Sequence, residues 1–138
     1  MSAQAICLSY LKEILQGVHS PSDTYKIALF TSDADLDETT AVYDPTDEVT
    51  GTGYSAGGKD LSGFAVDGTS KTARVSFDSP VSWPTATITA RYALVYNASQ
   101  GDKAVLVLDF GANKTSTNGT FAVNLPESTV GLIRITGP

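Results

Sequence analysis

Four separate stretches of this chain alternate apolar and polar residues with a period of two, and that rhythm constrains the fold more than any other feature. Ala73, Val75 and Phe77 alternate with Arg74, Ser76 and Asp78. Ala86, Ile88, Ala90, Tyr92, Leu94 and Tyr96 alternate with Thr87, Thr89 and Arg91. Phe121, Val123 and Leu125 repeat the pattern, as do Ile133 and Ile135 around Arg134. Side chains on a strand point to opposite faces in turn, so each run reads as a strand with one face buried. The run 104–110 is almost wholly apolar and reads as a strand buried on both faces. Turn-type clusters separate the runs at 67–68, 82–84, 97–102, 111–119 and 126–131, and Asn118-Gly119 fits a tight turn before the Phe121 strand.

Only the N-terminus has helical rhythm. Cys7, Tyr10, Leu11, Ile14, Leu15 and Val18 form an apolar stripe, with Ser9, Lys12, Glu13 and Gln16 opposite. Ser2 is a candidate N-cap and Gly17 a candidate stop. The expected architecture is all-β, an antiparallel β-sandwich or jelly roll with one N-terminal amphipathic helix. A single domain spans 1–138, with the helix in 1–18, the sandwich in 25–136 and a long loop at 32–60. The 138 residues suffice for one sizeable core.

That loop holds the other unusual segment, Asp47-Glu-Val-Thr-Gly-Thr-Gly-Tyr-Ser-Ala-Gly-Gly-Lys59, with four of the twelve glycines. Glycine at this density suits positive φ and close approach of the backbone to another surface. The spacing is neither a P-loop nor a dinucleotide fingerprint, since no Gly-Lys-Ser/Thr follows and the third glycine is misplaced. Tyr43 and Tyr54 are of the type enriched at interface hot spots. Glu48 and Lys59 are candidates to pair across a contact and orient it. The four residues Tyr43, Glu48, Tyr54 and Lys59 are therefore the expected partner-contact set, against the plainer reading of a loop that covers its own sheet.

No catalytic constellation emerges. Asp33, Asp35 and Asp37 resemble the start of a calcium loop, but Glu38 stands where the sharp turn needs glycine and the twelfth position is Asp44. His19 is the sole histidine and Cys7 the sole cysteine, and Cys7 lies on the apolar stripe. Zinc lacks a ligand set. No enzyme activity, cofactor or metal is expected. Seven acids, Asp33, Asp35, Asp37, Glu38, Asp44, Asp47 and Glu48, crowd into sixteen residues, and the net charge of −6 argues against a nucleic-acid partner. Without a basic n-region or a long apolar stretch, the chain reads as neither a secreted precursor nor a membrane protein. Trp83 with Tyr43, Tyr54, Tyr92 and Tyr96 is a candidate sugar platform. Its plainer reading puts Tyr92 and Tyr96 in the core and Trp83 at a strand edge.

Three ordered blocks carry a resemblance. They are Lys26-Ile-Ala-Leu-Phe-Thr-Ser32, then Glu48-Val-Thr-Gly-Thr-Gly-Tyr-Ser-Ala-Gly-Gly58, then Ala90-Arg-Tyr-Ala-Leu-Val-Tyr-Asn97 with Lys103-Ala-Val-Leu-Val-Leu-Asp-Phe-Gly111. Together with the preceding helix and the closing Gly-Leu-Ile-Arg-Ile, they resemble a group of small tailed-bacteriophage virion structural proteins. The resemblance implies a capsid decoration, or cement, protein on the virion surface. It would be made in the bacterial host cytoplasm and bind the major capsid protein, copies of itself, or both. A tail or fibre component and a carbohydrate-binding module are the alternatives. It supplies no catalytic residue.

Overall fold

The computed structural model describes residues 4–138. Two antiparallel sheets and one short helix make up the chain. The elements are β1 (Ala5–Ile6), α1 (Leu8–Leu15), β2 (Tyr25–Phe30), β3 (Lys59–Asp60), β4 (Ala65–Thr69), β5 (Thr72–Ser76), β6 (Val81–Asn97), β7 (Lys103–Val123) and β8 (Ile133–Thr136). The larger sheet runs β1-β7-β6-β2-β3 and the smaller β4-β5-β8. No helix among the described residues is long and apolar enough to cross a membrane.

The long partners β6 and β7 dominate the fold. Their ladder runs from Val81↔Val123 to Asn97↔Lys103, with four register shifts. Opposite Arg91, three extra residues of β7 bulge out between Lys114 and Asp109, the partners of Ala90 and Tyr92. The ribbon therefore folds over. Phe110 and Phe121 are eleven residues apart on β7, about 36 Å if it were straight, yet their ring centroids lie 6.3 Å apart. The turn expected at 111–119 does not form, because Asn118 (φ 46°) and Gly119 serve bends inside a paired strand. Likewise Ser82, Trp83 and Pro84 lie inside β6, with Pro84 exposed at a register shift where its missing N–H is tolerated.

The core centres on β2 and its neighbours. Ile27, Leu29, Phe30, Leu94, Val95, Val105 and Val107 are fully buried. Phe30, Ala28 and Lys26 pair with Tyr92, Leu94 and Tyr96, which places these six on one face. The other face carries Tyr25, whose ring meets Phe64 and Phe77 at 5.5 and 5.7 Å and so ties the small sheet to the body.

The helix departs from expectation at its start and in its orientation. Ser2 and Ala3 lie outside the described residues. Ala5 and Ile6 pair with Val107 and Leu106, and the Cys7 N–H bonds to the Val105 carbonyl, so the edge of β7 claims main chain that the apolar rhythm assigned to helix. At the other end, Val18 N–H reaches Glu13 O and Gly17 N–H reaches Ile14 O, with Gly17 at φ 73°. This is a Schellman stop, as a glycine at 17 implied. Of the expected stripe, Cys7 and Tyr10 are buried and Ile14 half-buried, but Leu11 is 39% and Leu15 89% exposed. Leu8, at 56%, lies on the same exposed side. The buried arc is rotated toward Tyr10 and away from the leucines.

Candidate functional site: a clamped loop over the sheet

The segment 43–59 is held to the sheet at successive points. Glu48 bridges Phe30, and the Val49 N–H bonds to the Leu29 carbonyl. Thr52 bridges Thr87. Lys59 opens β3, paired with Ile27. The expected long loop is thus organised by bridges and by one short strand. Gly58 explains how the chain passes so close. At φ 78°, a Cβ there would lie 1.8 Å from the Ile27 carbonyl oxygen.

Glu48 is the hub. It is 8% exposed, and its carboxylate accepts from Tyr43 Oη at 2.5 Å, Tyr54 Oη at 2.6 Å and the Gly57 N–H at 2.8 Å. Tyr54 Oη also accepts the Leu29 N–H at 2.8 Å. Tyr96 Oη donates to the Gly57 carbonyl at 2.6 Å, and the Tyr96 ring stacks on Tyr43 with centroids 4.6 Å apart. A buried carboxylate is costly unless it is hydrogen-bonded, and here both oxygens accept. Burial, reinforced by the bond to Glu48, raises the pKa of both Tyr43 and Tyr54, so both hydroxyls remain donors.

Three of the four expected contact residues therefore meet in one intrachain network. Lys59 stands apart, its Nζ donating to the Ser82 carbonyl and lying 5.6 Å from the Trp83 ring centroid. Glu48 and Lys59 do not pair with each other. Outward from the clamp the loop exposes Thr50, Gly51, Thr52, Gly53, Ser55 and Ala56. The aromatic set is turned inward as well, with Trp83, Tyr92 and Tyr96 buried and Tyr43 and Tyr54 half-buried. Trp83 meets Tyr54 at 5.8 Å and Phe121 at 6.3 Å.

The remaining candidates resolve into local structure. Asp37 accepts from the hydroxyl and N–H of Thr39, and Asp44 does the same with Thr46. Among the described residues no three His, Cys, Asp or Glu side chains converge as a metal site. Cys7 is wholly buried, and burial, with the charges of Asp37 and Glu13, pushes its thiol up to about 12. A thiol so placed is a poor nucleophile at neutral pH. His19 bonds elsewhere, with Nε2 3.0 Å from Glu13 and Nδ1 3.0 Å from the Asn97 amide.

Asn97 is the residue that sequence reading missed. Fully buried, it donates to Asp23 at 2.9 Å while its Oδ1 accepts the Ser99 N–H, so one amide ties the 19–23 segment to the end of β6. The available signal was the Asn-Ala-Ser turn itself, where asparagine caps a following bend. No family model, curated protein or solved structure matches this chain.

Proposed function

We propose that this chain is a structural protein of a tailed-phage particle, and within it a capsid decoration protein that stabilises the head shell. The larger sheet, covered by the clamped loop on its Phe30–Tyr96 face and by the small sheet on its Tyr25 face, is taken as the basis of a sandwich-type core. The partners are the major capsid protein and further copies of the chain, and the location is the capsid surface after synthesis in the host cytoplasm.

The observation that carries the reading is the Glu48 clamp. It spends a buried carboxylate and three tyrosines on fixing the shape of one loop, and leaves a small-residue outer surface for a partner to meet. Preorganised shape is what a cement protein needs, because ordering a floppy loop on binding would subtract from affinity at every site. The three resemblance blocks fall on β2, on the clamped loop and on the β6–β7 ribbon, the elements that the clamp connects.

Since Tyr54 is structural, the discriminating substitutions are on the outer surface. Thr50→Arg and Ser55→Arg leave the clamp intact. Both variants should melt with wild type yet bind assembled heads with reduced occupancy in electron cryomicroscopy. Normal occupancy of both variants would remove the loop from the contact. Density for the chain on the tail instead of the head would replace decoration by a tail role.

A further inference from the structure

The charges of this acidic chain are segregated. The small sheet and its β4–β5 turn carry Lys71, Arg74 and Arg134 against one acid, Asp67, whereas residues 33–48 carry seven acids and no base. Arg74 and Arg134 stand directly opposite each other on β5 and β8, so both project from one face of the sheet. Like charges in that relation repel. Among the described residues neither has a carboxylate partner. Arg74 reaches only the Thr69 hydroxyl, at 3.4 Å, and Asp67, opposite Arg74, turns its carboxylate onto the Gly68 N–H. Two other bases do have carboxylate partners, Lys26 on Asp60 at 2.7 Å and Arg91 on Asp109 at 2.9 Å.

The acidic segment is the complementary surface. Asp33, Glu38, Asp44 and Asp47 are exposed there. Apolar area lies among them, since Val42 is 49% exposed and Leu8, 56% exposed, bonds through its N–H to the Glu38 carbonyl. We propose that copies of this chain associate head to tail, the Arg74–Arg134 face of one seated on the acidic segment 33–47 of the next. A carboxylate between the two guanidiniums relieves their repulsion, and arginine forks match carboxylates in geometry. The contact joins two different surfaces, so each copy keeps one of each free, and rings or arrays follow. Exposed ion pairs contribute little singly and are screened by salt, so the association is weak and salt-sensitive. The inference does not depend on which particle, if any, carries the chain.

The test is sedimentation of the purified full chain over a range of concentrations, at about 0.02 M and about 0.5 M salt, where screening differs severalfold. Wild type should self-associate at low salt and dissociate at high salt. The neutralised variants Arg74→Gln/Arg134→Gln and Asp33→Asn/Glu38→Gln should each associate about tenfold more weakly, the effect of losing two surface ion pairs. Both should melt with wild type. Mixed together, they should pair as a heterodimer about tenfold more tightly than either variant associates with itself, because one intact pair of surfaces remains. The proposal is overturned by a monomeric wild type at low salt, by either variant associating as wild type does, or by a mixture that forms no heterodimer. Particle occupancy is read separately, so either idea can fail alone.

Discussion

Replacing Glu48 by alanine removes one acceptor from three donors at once: Tyr43 Oη, Tyr54 Oη and the Gly57 N–H. A stranded buried donor costs about 1–3 kcal/mol. Tyr43 is only half-buried and can turn to water, which lowers its share. The carboxylate's own burial cost disappears with it, a further offset. The expected loss is about 3–4 kcal/mol, or about 10–14 °C in melting temperature for a chain of this size. Glu48→Gln is milder. Its single oxygen can keep Tyr54 and Gly57 while the Tyr43 hydroxyl rotates to accept from the new amide, so about 1–2 kcal/mol is expected.

Urea denaturation measures both, with Asp47→Asn as the control. Asp47 is exposed at φ 63°, a conformation asparagine tolerates, so losing that charge should change stability by less than about 0.5 kcal/mol. Amide exchange supplies a local readout, because the Leu29 N–H is held by Tyr54 Oη and should lose protection in Glu48→Ala. Stabilities of both Glu48 variants equal to the Asp47 control, with Leu29 still protected, would refute the hub.

Gly58→Ala should cost more than about 3 kcal/mol or prevent folding, since its Cβ overlaps the Ile27 carbonyl, while Gly101→Ala, at φ 67° with nothing within 4 Å, should cost about 1 kcal/mol; equal urea midpoints would contradict this. Leu15→Ala should fall within about 0.5 kcal/mol of wild type and Tyr10→Ala should lose about 3–5 kcal/mol, and the reverse order would restore the leucine stripe to the core. Stability should also depend on pH at both extremes. The raised pKa values of Tyr43 and Tyr54 contribute stability that is complete below about pH 10, the ordinary tyrosine value, and is lost as pH climbs through the folded values. The lowered pKa values of Asp23, bonded by Asn97, and Asp109, beside Arg91, contribute stability present above about pH 4 and lost as pH falls through the folded values. Flat melting temperatures across either window would contradict these assignments.

How far the fold was legible depends on what each residue's signal encodes. Alternation marked 86–96 and the apolar run marked 104–110 as strands, because burial on a pleated surface acts on every second or every side chain; of that run 104–107 are buried and 108–110 half-buried. The ribbon's continuity through Pro84 and Asn118-Gly119 was not legible. The residues that make turns also make bulges, and only pairing with β6 decides between them. The helical rhythm of 7–18 describes an apolar arc wider than the contact it makes. Which part meets the core is set by where β7 presents Val105 and its neighbours, so Tyr10 went in and Leu11 and Leu15 stayed out. Glu48 was singled out for its place in the glycine block, but its partners lie five and six residues away on either side, a relation without periodicity.

That relation also explains why seven acids can share sixteen residues without destabilising the loop. Glu48 lies inside because its bridge to Phe30 aims the carboxylate at two hydroxyls and an N–H. Asp37 and Asp44 are anchored by threonines two residues on, which favours their charged forms while leaving them near solvent. The others face outward, where repulsion is moderated by water and salt. One acid thus holds the segment to the sheet and the rest give it an outward negative field. A field of that sign, opposite a small sheet with two unpaired arginines, favours contact between unlike surfaces and opposes contact between like ones. Neutralising Glu48 should therefore loosen the loop, whereas neutralising Asp33 and Glu38 should leave the loop intact and weaken only the contact between copies.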